Sequence, residues 1–522
     1  QTVNSISSVP GLIVFGEPKA QTKNFAPKVG FAWSPDYKSG MLGRLFGESG
    51  RSSVRAGFSM GYDYIFDNLY ILSNPPQNQQ TRDCPDPTLP VQCPATGFLA
   101  IGGLSSAGVP ITSPAVARSV TGSWIPDQKV PYSLTWTGSI QRQIAQDWSM
   151  EIRYVGTRGV HLLTQNRISN QARVAPEQGR PGLPTFIGNA PTQAQIDAAP
   201  ASTLTLAQIQ ARPGTVPSYA AAGFGPGVVA FLSNGNSTYH GASAQLTKRF
   251  SNGFQWTNAY TWSKLIDDTT AEVFSTVLSP RRVMDFQNLR PERALSALDH
   301  THRFVSSWIY EIPWFNKSTG FTKTMLGGFN IAGTYTYESG ERVTIRSGVD
   351  SNQNGDSAGD RAILNPGGTE GIGSTVTALV RTCPAFNVPG DPTSGCTTST
   401  ASRTIGYRAN NPAARYIAAG AGAVSNISRN TFQLPPINNF DISLFKNFRF
   451  GETKKIQLRA DFFNAFNHPQ YVPGSVNTVD PVGTTGLTTL NQITPLTGDF
   501  LHPEKVLSSN PRVIQMALRF DF

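Results

Sequence analysis

Polar and apolar residues alternate in repeated segments along this 522-residue chain, and this alternation constrains the fold more than any other feature of the sequence. In 132–142, one set of alternate positions carries apolar residues such as Tyr132 and Trp136, and the other set is mostly hydroxyl and amide residues. The C-terminal residues repeat the pattern, with Ile514 and Leu518 on the apolar side. Successive side chains of a β-strand point to opposite faces. Each segment is therefore predicted to be a strand with one apolar and one polar face.

Eleven such segments are predicted, and the links between them alternate in length. The strands are expected near 24–34, 52–64, 131–143, 147–156, 238–250, 253–264, 300–312, 326–338, 437–449, 454–465 and 511–522. Short links fall near 35–51, 143–147, 251–253, 313–325 and 449–453. Outer-membrane barrels have short turns at one end and long extracellular loops at the other. We therefore expect an all-β fold, a partial antiparallel transmembrane β-barrel of about eleven strands. A secreted β-sandwich or solenoid is the alternative.

The composition agrees with a barrel and excludes a helical membrane protein. No stretch approaches the roughly 18 consecutive apolar residues that a spanning helix needs. Charged residues such as Arg153 and Asp461 fall on the polar faces, where they suit a water-filled lumen. The net charge of +10 is dispersed, without a block of five Lys or Arg residues, so no nucleic-acid partner is expected.

The four cysteines form two local pairs in proline-rich stretches, Cys84 with Cys93 and Cys383 with Cys396. Four cysteines allow three pairings, and the sequence does not choose among them. Local pairing is the simplest choice and implies an oxidising compartment. A zinc site with four thiolates is the alternative, but the spacings are far longer than C-x2-4-C. We therefore predict two disulfides, each of which closes an extracellular loop.

One loop has the oxygen-rich pattern of a calcium site. Oxygen-bearing side chains stand at every second position around a Gly: Asp350, Asn352, Asn354 and Asp356, followed by Asp360. Such spacing suits a hard cation, and calcium is the only cofactor that the sequence suggests. However, Arg361 stands where an EF-hand has its bidentate Glu. A polar, turn-rich loop without a metal is the alternative.

Catalytic patterns are weak, and no enzymatic activity is expected. The segment from Gly57 to Gly61 fits G-x-S-x-G, but a nucleophile elbow needs a turn where this sequence predicts an unbroken strand through Ser59. His300 and His302 lie two residues apart and suggest a metal pair, but no third ligand is evident nearby.

Three stretches resemble the TonB-dependent outer-membrane receptors, particularly the Oar-like group. They are PYSLTWTGSIQRQIAQDWSMEIRYVGTRGVHL (131–162), YHGASAQLTKRFSNGFQWTNAYTWSKLIDD (239–268) and NNFDISLFKNFRFGETKKIQLRADFFNAFNHPQY (438–471). The resemblance implies active import of a scarce, bulky ligand across the outer membrane, with energy delivered by TonB. A surface barrel that acts in adhesion or matrix attachment is the alternative.

The resemblance also implies what precedes and assembles the barrel. Family members carry a signal peptide, often a small N-terminal β-domain, a TonB box and a plug, none of which is visible here, and such transporters have 22 strands. Residues 1–522 are therefore expected to be the C-terminal portion of one barrel domain, with TonB acting through the missing part. Outer-membrane lipid and the barrel-assembly machinery are the other expected partners. The machinery would recognise the final strand through Phe520 and Phe522. The alternative is that Phe522 is only the end of an ordinary amphipathic strand.

Overall fold

A computed structural model describes residues 7–15, 21–63, 113–119, 121, 123–124, 129–268, 283–315, 317–357, 359–383, 399–450, 454–471, 491–496, 498–507 and 509–522. Its main feature is one antiparallel sheet in which eleven long strands pair in chain order. These are β1 (Lys28–Trp33), β2 (Ser52–Tyr62), β4 (Tyr132–Ala145), β5 (Trp148–Arg167), β7 (Val229–Ser251), β8 (Phe254–Asp267), β10 (His302–Glu311), β11 (Phe329–Glu338), β19 (Ile437–Phe450), β20 (Lys454–Phe463) and β21 (Val513–Asp521). The eleven predicted strands and the antiparallel all-β class are confirmed.

The tight turn between β7 and β8 shows how local sequence sets the register of this sheet. Asn252 and Gly253 both have positive φ, 51° and 75°. A type I′ turn requires positive φ at both central residues, which Asn-Gly adopts at low cost. The short link predicted near 251–253 is therefore an Asn-Gly turn, and beyond the turn Lys248 is opposite Trp256.

Two strands are much longer than the alternation predicted. β5 has 20 residues and β7 has 23, whereas a strand that crosses a bilayer needs about 9–11. Their pairing continues from Trp148 opposite Lys248 to Arg167 opposite Val229, with two irregularities on the way. The far parts of β5 and β7, which pair from Val160 opposite Asn236 to Arg167 opposite Val229, therefore form an arm that projects past the sheet. Leu163 in this arm is buried.

Tryptophan rings on the apolar face lie over glycines of the neighbouring strand. Trp136 is directly opposite Gly156, and Trp308 is opposite Gly333. A Cβ at Gly156 would lie 2.2 Å from the Trp136 ring, and a Cβ at Gly333 would lie 2.4 Å from the Trp308 ring. These two glycines leave the space into which each indole ring folds, an arrangement that stabilises glycine within a sheet.

The long connections fold into a layer of their own beyond the end of the sheet. We call the described residues of 168–228, 283–299, 339–436 and 491–507 the loop layer. Its short strands are β6 (Thr185–Phe186), β12 (Arg342–Val343), β13 (Ile363–Leu364), β14 (Thr369–Ser374), β15 (Val376–Val380), β16 (Thr404–Ala409), β17 (Ala414–Ile417) and β18 (Phe432–Gln433). They form three small sheets, β12–β18, β13–β17–β14 and β15–β16–β6. Two further short strands, β3 (Ser123–Trp124) and β9 (Ala294–Leu295), pair with β7 and β8.

Two hydrophobic cores hold the loop layer together. One contains Leu183, Ile209 and Ile417, and the other contains Ile345 and Ile493. All five side chains are at most 1% exposed. Since each core joins segments that are far apart in the chain, the layer is a folded unit rather than a set of independent loops.

All helices in the described residues are short. They are α1 (Gly40–Phe46), α2 (Pro114–Ser119), α3 (Gln193–Asp197), α4 (Leu206–Gln210), α5 (Pro217–Ala221), α6 (Gly320–Leu326), α7 (Thr400–Arg403) and α8 (Pro503–Val506), with 3-10 turns at Pro176–Gln178, Arg290–Glu292 and Asn491–Ile493. Within the part of the chain that the structure describes, no helix is long and apolar enough to cross a membrane. Helices α1 and α6 lie in two of the predicted short links.

Candidate functional site

A buried network of four charged side chains joins the sheet to the loop layer. Arg429 donates from Nη2 to the main-chain oxygen of Asp267 at 2.7 Å and also binds its carboxylate. From Nε, Arg429 donates to the main-chain oxygen of Glu292 at 3.0 Å. Arg361 binds the Glu292 carboxylate. All four side chains are at most 5% exposed, so two buried carboxylates are balanced by two guanidinium groups.

A cavity of about 460 Å³ lies beside this network, between the β5–β7 arm and the segment 283–293. Thr164 and Asn234 are hydrogen-bonded to each other on the arm. Asn166, which is 3% exposed, has a buried Oδ1 with no hydrogen-bond partner among the described residues. The lining residues are Thr164, Asn166, Asn234, Gly235, Asp268, Val283, Leu289, Arg290, Glu292 and Arg293. The cavity thus combines hydrogen-bonding amides, two guanidinium groups and the carboxylates of Asp268 and Glu292 with two apolar side chains.

The predicted calcium loop lies in the same layer and is closed by its own hydrogen bonds. The two carboxylate oxygens of Asp350 accept from the main-chain N–H groups of Asn354 and Gly355, at 3.0 and 2.8 Å. Asn352 and Asn354 both donate from their side-chain amides to the main-chain oxygen of Met284. The loop is therefore attached to the segment that forms one wall of the cavity.

Asp360 is the most buried member of this set. Its Oδ1 accepts from the Ser351 hydroxyl at 2.7 Å and from the Asn352 N–H at 3.1 Å. Its Oδ2 is buried and has no hydrogen-bond partner among the described residues. Burial raises the pKa of Asp360 well above its usual value, and the carboxylates of Asp350 and Asp356 raise it further.

Arg346 lies near Asp356 and is itself buried, with 4% of its surface exposed. Burial lowers the pKa of Arg346 to about 10, while the attraction of Asp356 opposes this change. In the described ranges no group of three or more His, Cys, Asp or Glu side chains is arranged to hold a metal ion. Calcium also accepts asparagine side-chain oxygens as ligands, so calcium at this loop stays a prediction.

The two histidines have separate partners. His300 lies 2.8 Å through Nδ1 from the main-chain oxygen of Ser339 and 3.2 Å from the Glu338 carboxylate. His302 stacks on Tyr260, with Nδ1 and the phenol oxygen 2.9 Å apart. Each ring thus contacts its own neighbours, and a metal pair at these histidines stays a hypothesis.

The other predicted sites are described only in part. Cys383 is disulfide-bonded, whereas Cys84, Cys93 and Cys396 lie outside the described residues. The pairing therefore stays a prediction, and mass spectrometry of non-reduced peptides is the measurement that checks it. Ser59 lies within β2 opposite Thr135, as expected for an ordinary strand residue.

At the C-terminus, Phe520 lies on β21 opposite Ile456, and Phe522 is 98% exposed. Their role in assembly stays a prediction.

The sequence did not reveal the ion network or the cavity. Asp267 follows the alternating part of β8, and Arg429 lies in a stretch without a pattern. Their contact depends on how 339–436 folds back over the sheet. The only local signal is that Asp267 and Asp268 follow the strand predicted near 253–264, and acidic residues are common after strands for many reasons.

Comparison with known proteins gives a family and a set of distant structures. Residues 16–503 match the family model of the outer membrane beta barrel domain. A mutant of the ferric enterobactin receptor from Pseudomonas aeruginosa, in complex with enterobactin, is 11% identical, with 96% of this chain and 41% of that chain covered and a TM-score of 0.39. The outer membrane transporter YddB from Escherichia coli is 9% identical, with coverages of 90% and 39% and a TM-score of 0.34.

The ferric-catecholate import receptor Fiu from Escherichia coli K12 is 8% identical, with coverages of 95% and 34% and a TM-score of 0.35. The chain thus spans about a third to two fifths of the length of these structures. No curated protein matches the chain.

Proposed function

Because the chain belongs to the outer membrane beta barrel domain family, and therefore lies in the bacterial outer membrane, we propose that it forms part of the barrel of a TonB-dependent receptor. In this proposal the receptor imports a scarce, bulky ligand, and its loop layer faces the outside of the cell. The TonB box and plug, which the resemblance puts ahead of the barrel, supply the coupling to the inner membrane. The chain itself contributes the wall of the pathway and the surface that captures the ligand.

The single observation that carries the proposal is the folded loop layer with its cavity. An adhesive surface needs only exposed side chains, whereas here a cavity of about 460 Å³ lies between the layer and the arm, close to the end of β8. A pocket of several hundred Å³ with a few convergent polar groups is the usual form of a small-molecule site. The position of the cavity, between the arm and the segment anchored by Glu292, suits capture of a ligand before it enters the barrel.

The lining of the cavity indicates which ligand chemistry it favours. The unsatisfied Oδ1 of Asn166 requires a hydrogen-bond donor, because a buried acceptor without a partner carries a free-energy penalty. Arg293 is paired with Asp268 at 3.7 Å, and Arg290 favours an anionic or carbonyl-rich group on the opposite wall. A polar ligand that carries both kinds of group fits better than a hydrocarbon.

Import is tested by comparing which compounds cells remove from their medium. The wild-type strain, a strain without this gene and a strain without TonB are grown in the same complex medium, and the spent media are profiled by mass spectrometry. Import predicts at least one compound that both mutant strains leave behind. The variant Asn166→Leu should leave the same compound, with an unchanged amount of barrel in the membrane. Depletion of every compound by the strain without this gene would contradict import.

The adhesion alternative makes a different prediction in the same strains. Loss of the gene would lower attachment to a surface or matrix, and loss of TonB would leave attachment unchanged. The upstream sequence separates the two functions as well, since a plug and a TonB box favour import and a complete gene without them favours adhesion.

A further inference from the structure

At the end of the sheet opposite the loop layer, two of the links between strands contain a short helix. Both helices are held to the barrel in the same way. In the link after β1, Arg142 of β4 donates from Nη1 to the main-chain oxygen of Arg44 at 2.6 Å, and also to that of Leu45. These are the last carbonyls of α1. The ring of Phe46 packs on Trp33 with centroids 5.7 Å apart. The C-terminal end of α1 is thus held by a cation and an aromatic contact.

The link after β10 repeats this arrangement at α6. Lys446 of β19 donates from Nζ to the main-chain oxygens of Met325 and Gly327, at 2.6 and 2.9 Å. The same ammonium lies 4.2 Å from the centroid of the Phe329 ring. A cation at a helix C-terminus is favourable because the last carbonyls carry partial negative charge.

Both cations project from the apolar face of the sheet. Arg142 continues the alternate row of Trp136 and Ile140. Lys446 is opposite Leu458 and follows Leu444 in its own row. In an outer-membrane barrel this apolar face contacts lipid. The two helices are therefore held on the lipid side of the rim and not beneath the lumen.

The helices expose apolar side chains next to basic ones. In α1, Met41 is 81% exposed and Leu45 is 57% exposed; in α6, Phe321 is 78% exposed and Met325 is 44% exposed. Neither helix contains an acidic residue. Exposed basic side chains belong to both links, namely Lys38, Arg44 and Arg51 in the first and Lys317 and Lys323 in the second. The first link also carries exposed Asp36 and Glu48 and keeps one net positive charge. Apolar side chains of this size in water are unfavourable unless something covers them.

We propose that α1 and α6 are interfacial anchors that lie in the periplasmic leaflet of the outer membrane, with their apolar side chains among the acyl chains and their basic side chains at anionic phospholipid headgroups. Short amphipathic helices with basic polar faces bind membrane interfaces in this way. The surface is continuous with the lipid-facing strands, and its charge is complementary to an anionic leaflet. The periplasmic location rests on the proposed orientation, in which the loop layer is extracellular.

The depth of α6 in the bilayer tests the proposal directly. The full-length protein is reconstituted into vesicles of phosphatidylethanolamine and phosphatidylglycerol, with an environment-sensitive fluorophore on the variant Phe321→Cys. We expect a blue-shifted emission and strong quenching by lipids that carry a quencher near the headgroup. The matched control is Gln146→Cys, an exposed residue in a tight turn without a helix at the same rim. Its label should stay water-exposed.

Three further measurements separate the parts of the proposal. In Lys446→Met the label at position 321 should lose its headgroup-level quenching, and Lys446→Arg should restore it. Equal quenching in pure phosphatidylcholine would overturn the role of anionic lipid. A label at 321 that is as water-exposed as the label at 146 would overturn the anchor itself.

Cell experiments complete the test. Labelling of 321 by a membrane-impermeant reagent added outside intact cells would overturn the periplasmic location, whatever the outcome of the import assay. Protection of 321 in cells but not in lipid vesicles would also contradict the anchor, because a protein would then cover the helix.

Discussion

Arg429 of the loop layer binds both the carboxylate and the main-chain oxygen of Asp267. It thus neutralises the charge of a carboxylate that is buried at the end of barrel strand β8. Arg429→Met removes the cation and leaves Asp267 as a buried charge without compensation from Arg429. Loss of one partner of a buried ion pair costs about 3–5 kcal/mol. We expect the loop layer to become sensitive to protease while the barrel keeps its heat-modifiable migration in gels.

The control for this variant is Lys505→Met in the same layer. Lys505 lies 3.8 Å from Asp499, and its side chain is 46% exposed. A pair of this kind contributes about 0–1 kcal/mol, so its loss should leave the cleavage rate almost unchanged. Equal cleavage of the Arg429→Met protein and the wild type would show that the network does not hold the layer in place.

A methyl group at Gly156 should impair folding of the barrel. Gly156→Ala puts a Cβ into the ring of Trp136, and such overpacking costs roughly 1–3 kcal/mol. Gly138→Ala is the matched control, because nothing lies within 4 Å of its added Cβ. Urea unfolding of the detergent-refolded protein, followed by gel mobility, measures the difference. In a Trp136→Ala background the effect of Gly156→Ala should disappear.

The sequence predicted those parts of the fold that local patterns encode. Alternation located all eleven strands, because each barrel strand meets lipid on one face and water on the other. The alternation did not predict the loop layer, because its strands are two to six residues long and pair with strands that are far away in the chain. Thr185 pairs in parallel with Tyr407, for example, and a contact between such distant residues produces no periodic pattern in the local sequence. Helices α1 and α6 were missed as well, since seven residues are too few for a helical period.

Calcium should stabilise the loop that contains Asp350 and Asp360. Three nearby carboxylates repel one another when ionised, and a bound divalent cation would offset that repulsion. At about 1 mM, a range in which extracellular modules bind calcium, we expect slower proteolysis of the loop layer. Magnesium should have no effect, and Asp360→Asn should abolish the response to calcium. The same cleavage rate with calcium and with a chelator would favour the metal-free loop.

The terminal Phe522 is expected to act in assembly rather than in packing. Its deletion removes one exposed side chain, whose burial in lipid is worth only about 2 kcal/mol. We nevertheless expect a sharp fall in the amount of full-length protein in the outer membrane, measured by immunoblot of membrane fractions. Met516→Ala, on the same face and 81% exposed, removes a comparable area and should assemble normally. Normal assembly after deletion of Phe522 would mean that the residue is not a signal.

The shared cores of the loop layer limit how its specificity can be engineered. Leu183 comes from one connection and Ile417 from another, and both belong to the same core. Ile345 and Ile493 join two connections in the second core. Transplanting a single loop from a relative would therefore leave mismatched interior surfaces on both sides of the graft. A chimera that changes ligand choice must exchange these connections together, so the layer as a whole is the unit of recombination.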